Sequence, residues 1–319
     1  MKKGIKIVLS IVFISHLSFN ISAQENANVE MKPISEEAFQ VVAQFFQYDK
    51  HVPLDAKVIG KDENEFYSRE KIVFTGFRGS QVVGYLAVPK TGKEPYPCVL
   101  QMHGGVAMGK EAFWPGSPYT DWVVTEGLLK SGFAVLTLDA QFYGERKMIN
   151  NYKSGSDDLF GDNQVYNFLD LIVKSTIEYR RAIDYLETIP AIDANRIAAS
   201  GYSLGGMMSF YLTAIEPRVK AAVPCLVGLN FYGVGTNKAF PWTMPSVLSP
   251  WNFAKAIGDK PFHLMMSNSD PFYSKQDARN LFELVGGENK TLKFYDCEGN
   301  HCLPKEHAND LVAWIKEKL

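Results

Sequence analysis

The sequence predicts an α/β protein with a doubly wound, mostly parallel sheet that is covered by helices on both faces. Continuously apolar runs, which are typical of strands buried on both faces, occupy residues 97–102 and 133–139. Segments with apolar residues at helical spacing alternate with strand-like runs to the C-terminus, as βαβ units require. Two further β-like runs, residues 71–75 and 81–88, are joined by a short turn and predict an antiparallel hairpin at one edge.

The part of the chain ahead of the hairpin is predicted to be an N-terminal helical extension, residues 24–70, of a single domain at 24–319. Ser35 precedes apolar residues at helical spacing, and Glu36 and Glu37 fall in the first turn, where carboxylates stabilise a helix. The remaining elements follow in order along the chain. Helices are predicted at residues 122–130, 165–186, 207–215, 274–286 and 306–318, and strands at residues 196–200, 219–225, 262–267 and 291–295.

The first 23 residues have the segment order of a secretory signal peptide. Lys2 and Lys3 precede an apolar run at residues 5–19, and small residues then lead to Ala23 and a polar segment. The apolar run is shorter than the roughly 20 residues that a membrane-spanning helix needs. We expect export to the periplasm or medium with cleavage after Ala23, and an uncleaved N-terminal anchor is the alternative. No later run is long enough to span a bilayer.

Charge and cysteine content narrow the class of function. A formal net charge of −2 over 319 residues, without a basic stripe, argues against nucleic acid or an anionic membrane as partner. Cys98 and Cys225 lie in apolar strand-like runs and are expected to be buried. Cys297 and Cys302 flank a histidine, and their spacing allows either a disulfide across a short loop or two free thiols.

The segment GYSLG, residues 201–205, lies between the predicted strand at 196–200 and the predicted helix at 207–215. A strand that turns directly into a helix needs glycines on both sides of the turning residue, because larger side chains would clash there. The turn would expose the Ser203 hydroxyl beside unpaired N–H groups at the helix start. Ser203 is therefore the predicted nucleophile.

A serine hydroxyl needs a base to take its proton, and the base needs a carboxylate that fixes its tautomer. Asp270 follows the predicted strand at 262–267, and His301 follows the predicted strand at 291–295. We term the strand-to-helix turn at 201–205 the elbow, and the order serine, acid, histidine is the one in which such an elbow is followed by its partners. We predict Asp270 as the orienting acid and His301 as the base.

The rival side chains are assigned other roles. His263 falls inside a strand and is expected in the core, whereas His307 falls early in the terminal helix and is expected to be solvated or to cap it. Asp277 completes a capping box that Ser274 begins. The cysteines and histidines at 297–307 match no zinc-ligand spacing, so neither a metal nor a cofactor is predicted.

Two further sets of residues are expected around the nucleophile. The oxyanion of acyl transfer needs N–H donors, and Leu204 and Gly105 are the candidates, with Val106 as the alternative to Gly105. An aromatic segment at 228–259, inserted after the strand that ends near Cys225, has no clear period and favours a lid-like loop, an ordinary surface excursion being the alternative. The predicted substrate contacts are Tyr202, Phe231 and Trp242.

Several segments carry a resemblance to a known family, namely GYLAVP at 84–89, YPCVLQMHGG at 96–105, Asp139 with GER at 144–146, RAIDYL at 181–186 and residues 193–206. They resemble the α/β-hydrolase superfamily, and within it the secreted esterases similar to dienelactone hydrolases and acetyl xylan esterases. Dienelactone hydrolases proper have a cysteine nucleophile, so Ser203 favours ordinary ester hydrolysis over lactone opening. Arg146 is expected either to hold the strand-end loop through Asp139 or to face the substrate.

The resemblance implies an exported serine hydrolase that cleaves carboxylic esters through an acyl-enzyme on Ser203, with small-acyl or carbohydrate esters as substrates. Two other functions are open. Prolyl oligopeptidase-like peptidases share the catalytic domain but carry a propeller, for which the roughly 70 residues ahead of the hairpin are too few. A non-catalytic binding module would have no need of Ser203, Asp270 and His301 together.

Overall fold

The computed structural model describes residues 32–119, 121–149, 165–228, 246–297 and 301–319. The predicted signal peptide and most of the aromatic segment, including Phe231 and Trp242, lie outside these residues. Within the described part of the chain, a nine-stranded sheet has the strand order β1-β2-β3-β5-β4-β6-β7-β8-β9. The strands are β1 Lys57–Glu63, β2 Tyr67–Thr75, β3 Gln81–Pro89, β4 Tyr96–Met102, β5 Ala134–Leu138, β6 Ile192–Tyr202, β7 Val219–Cys225, β8 Phe262–Ser267 and β9 Lys290–Tyr295.

Helices connect most of these strands. The described α-helices are α1 Glu36–Ala43, α2 Asp121–Lys130, α3 Arg146–Ile149, α4 Val165–Leu186, α5 Leu204–Ile215, α6 Trp251–Ala254, α7 Lys275–Leu284 and α8 His307–Lys318. The predicted caps are present: Ser35 accepts a hydrogen bond from the Ala38 N–H, and Ser274 and Asp277 form a capping box at α7. No helix in the described ranges is long and apolar enough to cross a membrane.

The sheet is mixed, and its parallel part defines the fold. β1, β2, β3 and β5 pair antiparallel in turn, with β2 and β3 at the position of the predicted hairpin. From β5 across β4 to β9, all neighbours pair parallel. After β4 the chain forms β5, which lies on one side of β4. It then crosses over β4 and forms β6 on the other side of β4. Because such crossovers are right-handed, α2 and α4 cover opposite faces of the sheet. The predicted doubly wound sheet is confirmed.

Burial explains which strands the sequence revealed. Every residue of β4, β5 and β8 is buried, and these strands coincide with apolar runs. The first strand, β1, was not predicted, and β2 begins earlier than residue 71. The helical extension therefore does not reach residue 70. All residues of β1 but one are exposed, because β1 is an edge strand with charged side chains and carries no apolar period.

The four cysteines fall into two pairs with different states. Cys98 and Cys225 are free and fully buried in β4 and β7, as the sequence predicts. Cys297 and Cys302 form a disulfide with a Cα–Cα distance of 6.1 Å, which decides between the two alternatives that their spacing allowed.

Candidate active site

The turn between β6 and α5 places Ser203 in a strained conformation. Its backbone has φ 55° and ψ −114°, a left-handed region that costs a residue with a side chain about 1–3 kcal/mol. A Cβ on Gly201 would lie 2.4 Å from the Gly205 carbonyl oxygen, and one on Gly205 would lie 1.9 Å from the Met102 carbonyl oxygen. Both positions therefore require glycine, and the turn is held against β7 by the Ser203 N–H, which donates to the Cys225 carbonyl at 2.9 Å.

Asp270 and His301 are brought together from the ends of β8 and β9. The Asp270 Oδ2 to His301 Nδ1 distance is 2.7 Å, and the Asp270 side chain is fully buried. Its other oxygen, Oδ1, accepts the N–H groups of Phe272 at 2.8 Å and Tyr273 at 3.2 Å. Since a carboxylate accepts, His301 donates from Nδ1, and in the neutral ring the lone pair is then on Nε2. This is the tautomer that a general base needs.

Aromatic side chains surround His301, and the sequence did not single them out. The Phe272 ring meets the His301 ring edge-on with centroids 4.9 Å apart, and the Tyr273 ring centroid lies at 6.0 Å. Tyr273 is buried, whereas 42% of Phe272 is exposed beside the histidine. The sequence pointed to Phe272 only through its position two residues after Asp270. The Asp270 Oδ1 accepts the Phe272 N–H and so fixes the Phe272 backbone.

The loop after β4, residues 103–108, is termed here the β4 loop and lies beside Ser203. β4 pairs with β6 up to Met102 and Gly201, so their following turns are neighbours. A Cβ on Gly104 would lie 3.8 Å from the Ser203 Cβ. The Val106 N–H already donates to the Gly104 carbonyl at 2.7 Å, which leaves Gly105 as the stronger oxyanion-donor candidate of the two.

A buried ionic network backs the β4 loop. Lys110 is fully buried, and its ammonium contacts Asp139 Oδ2 at 2.9 Å and Glu145 Oε1 at 2.6 Å. Asp139 also accepts the N–H groups of Lys110 and Glu145. Burial alone would lower the pKa of Lys110, but the charges and hydrogen bonds of Asp139 and Glu145 outweigh it and raise that pKa. Lys110 therefore stays charged.

Two more buried side chains complete this side of the site. His103 bonds the Gly104 carbonyl through Nδ1 at 2.7 Å and accepts the Ala140 N–H at Nε2 at 3.0 Å. Arg146 is fully buried and forms a two-pronged pair with Glu178, with a further bond to the Asp139 carbonyl at 3.2 Å. Of the two roles expected for Arg146, the structure shows the one that holds the strand-end loop.

Two further histidines, His263 and His307, lie in the core. His263 is buried in β8 and stacks on Trp314, as the sequence predicts. The expectation that His307 is solvated or caps a helix is wrong, because its side chain is fully buried. Its Nε2 lies 2.6 Å from the Tyr202 hydroxyl. Tyr202, a predicted substrate contact, is therefore placed in the core with its hydroxyl bonded to His307.

Metal binding is not suggested by the described side chains. Within residues 32–119, 121–149, 165–228, 246–297 and 301–319, no group of three or more histidine, cysteine, aspartate or glutamate residues is arranged to hold a metal ion. Cys297 and Cys302, which neighbour His301, are joined to each other.

The sheet topology and the strand-end site define an α/β-hydrolase fold. A model of the acetyl xylan esterase family AXE1 matches residues 40–232, more than half of the chain. The chain therefore belongs to the acetyl xylan esterase family, a family of carboxylic ester hydrolases.

Solved structures of similar fold carry the same name. Acetyl xylan esterase from Paenibacillus sp. R4 aligns with a TM-score of 0.69 over 90% of this chain and 96% of that one, at 17% identity. Acetyl xylan esterase 1 from Thermoanaerobacterium sp. JW/SL YS485 aligns with a TM-score of 0.65 over 89% and 94%, also at 17% identity. At this level of identity the likeness concerns the fold.

Curated relatives match over shorter segments. Esterase FrsA of Serratia proteamaculans is 26% identical over 162 residues, which is 50% of this chain and 32% of that protein. The 20-hydroxy-prefusarin hydrolase FUS2 of Gibberella moniliformis is 26% identical over 155 residues, or 49% of this chain and 32% of its own length. The chain thus spans about a third of these two relatives.

Proposed function

We propose that this chain is an exported serine esterase that hydrolyses small-acyl esters, including acetyl esters of carbohydrates, through an acyl-enzyme on Ser203. The observation that carries the proposal is the contact of the buried Asp270 carboxylate with His301, at 2.7 Å, on the strand ends that follow the strained Ser203 turn in the sheet. A buried carboxylate, a histidine in the Nδ1–H tautomer and an elbow serine together form the constellation of acyl transfer.

The reaction follows from these roles. His301 Nε2 takes the proton of the Ser203 hydroxyl as Oγ attacks the acyl carbon, and the carbonyl π electrons move to oxygen. The tetrahedral intermediate collapses, the bond to the alcohol oxygen breaks, and that oxygen receives the proton from His301. Water then attacks the acyl-enzyme with His301 again as base, and the acid product and free Ser203 result. Asp270 stabilises the imidazolium in both halves.

The negative oxygen of each intermediate needs donors. We assign the N–H of Leu204, at the first position of α5, and the N–H of Gly105. Two observations support this assignment. The pairing of β4 with β6 brings the β4 loop next to the elbow. The N–H of Val106, the alternative donor, already donates to the Gly104 carbonyl within that loop. The positive end of the α5 dipole favours the same charge.

The acyl group is expected to be small and the alcohol to be a sugar. Two similar solved structures are named acetyl xylan esterases, and the family model that matches this chain carries the same name. Phe272 offers a partly exposed aromatic ring beside the histidine that protonates the leaving alcohol. Such a ring can pack against the apolar face of a sugar.

Export is supported by two observations. Residues 1–23 have the composition of a signal peptide. The Cys297–Cys302 disulfide is of the kind that persists in oxidising compartments outside the cytosol. Detection of the mature chain in the periplasm or medium, beginning after Ala23, is the expected result of fractionation and N-terminal sequencing.

Turnover by variants tests the esterase itself. Ser203→Ala is expected to lower kcat/KM for p-nitrophenyl acetate and acetylated xylose by at least about 10³-fold, since the nucleophile is lost. Ser200→Ala is the matched control, because it removes a hydroxyl from β6, the strand that leads into Ser203, and that hydroxyl donates to the Val223 carbonyl. A fluorophosphonate should label wild type at Ser203 and not the Ser203→Ala variant. Undiminished turnover by Ser203→Ala would exclude the mechanism.

A further inference from the structure

The side chain that precedes the nucleophile is linked to the segment that carries the base. Tyr202 comes directly before Ser203, and its hydroxyl lies 2.6 Å from Nε2 of His307. The other ring nitrogen, Nδ1 of His307, lies 2.5 Å from the Pro304 carbonyl oxygen. We term residues 301–306, which join His301 to helix α8, the base loop. The link therefore runs from the elbow to the C-terminal part of the base loop.

Hydrogen-bond chemistry fixes the direction of this link. A carbonyl oxygen only accepts, so His307 donates from Nδ1 to Pro304. Burial lowers the pKa of His307, so the ring is neutral and its Nε2 carries a lone pair. The Tyr202 hydroxyl then donates to that lone pair. Burial raises the pKa of Tyr202, which keeps its hydroxyl protonated as a donor.

Packing makes the link rigid. Tyr202 and the base-loop residue Leu303 belong to one core cluster between the sheet and helices α2 and α8. The rings of Tyr202 and His307 meet edge-on with centroids 5.4 Å apart. The other end of the base loop is held by the disulfide from Cys302 to Cys297. His301 is thus followed directly by two fixed points of the base loop, the disulfide at Cys302 and the His307 link, and that link ends at the residue next to Ser203.

We propose that Tyr202 and His307 are a positioning pair, which holds the base loop against the elbow so that His301 stays within reach of the Ser203 hydroxyl. This inference rests on the proposed function, because it assigns roles to Ser203 and His301. Displacement of a catalytic group by about 1 Å can cost about 10²-fold in rate, so a partial loosening is expected to cost about tenfold. The pair itself touches neither substrate nor reacting atoms.

Tyr202→Phe is the central test because it removes one oxygen atom and keeps the ring packing. We expect kcat to fall about tenfold, by the same factor for p-nitrophenyl acetate and acetylated xylose, with KM unchanged. If Tyr202 contacted the substrate, Tyr202→Phe would instead raise KM, by a factor that depends on the alcohol part of the ester. All rates are measured at a temperature where the variants are folded by circular dichroism.

Two further variants separate positioning from general stability. His307→Gln keeps an amide oxygen that can accept from Tyr202 and is expected to lose less than about threefold, whereas His307→Leu should match Tyr202→Phe. Tyr48→Phe is the control: it also removes a bonded hydroxyl, from the contact with Asp184. Asp184 lies near the C-terminal end of helix α4, which leads into the start of β6, whereas the elbow follows the end of β6, so turnover should stay at the wild-type level.

The outcomes are distinguishable. If wild type hydrolyses neither ester and Ser203 is not labelled, the proposed function fails and takes this inference with it. If wild type is active but Tyr202→Phe keeps the kcat of Tyr48→Phe, the positioning role is overturned while the esterase stands. A rise in KM alone, or a loss that differs between the two esters, also overturns it. Should Tyr202→Phe not fold, the comparison of His307→Gln with His307→Leu decides by the same criteria.

Discussion

Two loops flank the elbow, and different chemistry holds each of them. The β4 loop is backed by charges, since the buried Lys110 ammonium contacts the buried Asp139 carboxylate at 2.9 Å. The base loop is held by a disulfide at Cys302 and by neutral hydrogen bonds through His307. A site that needs both loops in place therefore depends on an ionic support for the β4 loop and a covalent support for the base loop.

The difference shows what each loop can tolerate. A buried ion pair is well shielded from salt, but it fails badly when one partner is lost, because the other charge remains in the interior. A disulfide acts mainly by limiting the unfolded chain, so its loss costs less and leaves no unpaired charge. The β4 loop should therefore be sensitive to substitution, and the base loop to reductant.

The largest effect is expected from Lys110→Met. This change removes the ammonium and leaves the fully buried Asp139 carboxylate with its backbone donors only. We expect a loss of about 3–5 kcal/mol in the free energy of unfolding, as for other broken buried pairs. Urea unfolding followed by circular dichroism measures it.

The control for Lys110→Met is Lys61→Met. Lys61 pairs with Glu70 at 3.3 Å on the exposed edge of the sheet, with 59% of its side chain accessible. Surface pairs of this kind contribute about 0–1 kcal/mol, so this variant should unfold close to wild type. Equal losses for the two lysine variants would show that the Lys110 pair gives the β4 loop no special support.

The next largest effect is expected from removal of the disulfide. Cys297 and Cys302 are five residues apart, and closing so short a loop stabilises a protein by about 2 kcal/mol in the chain-entropy account. The double variant Cys297→Ser/Cys302→Ser should lose about that much, together with part of its esterase activity. Dithiothreitol should lower the activity of wild type and leave the double variant unaffected. A wild type that withstands full reduction, verified by thiol titration, would show that the base loop needs no covalent support.

Some of these features were predictable from the sequence and others were not. The strands that carry the candidate site were predictable because β4, β5 and β8 are buried on both faces and hence mostly apolar. The predicted acid and base are paired at 2.7 Å, and the signal for them was their place directly after strands. Local pattern was sufficient to predict that these two side chains meet, since the expected chemistry places both on strand-end loops.

Two of the supports, the Lys110–Asp139 ion pair and the Tyr202–His307 hydrogen bond, were not predictable, because each joins residues far apart in the chain. A lysine is rarely fully buried, and no local sequence pattern around Lys110 predicts its contact with Asp139, which lies 29 residues later in the chain. His307 opens a helix, a position typical of a solvated side chain, and the partner of its Nε2 is Tyr202, 105 residues earlier. The edge strand β1 was missed for a different reason: it has too few apolar side chains to show the alternation of a strand.

The smallest effect comes from a second tyrosine, on the β4-loop side. The Tyr143 side chain is fully buried near Gly105, and its hydroxyl has no hydrogen-bond partner among the described residues. Loss of an unpaired buried hydroxyl removes a desolvation cost, so Tyr143→Phe should match wild type or gain up to about 1 kcal/mol in unfolding free energy. Tyr202→Phe, which leaves the His307 Nε2 unpaired, should lose about 1–3 kcal/mol by the same principle. Urea midpoints of the two variants measure the contrast directly, and a destabilised Tyr143→Phe would mean that its hydroxyl has a partner in the folded protein.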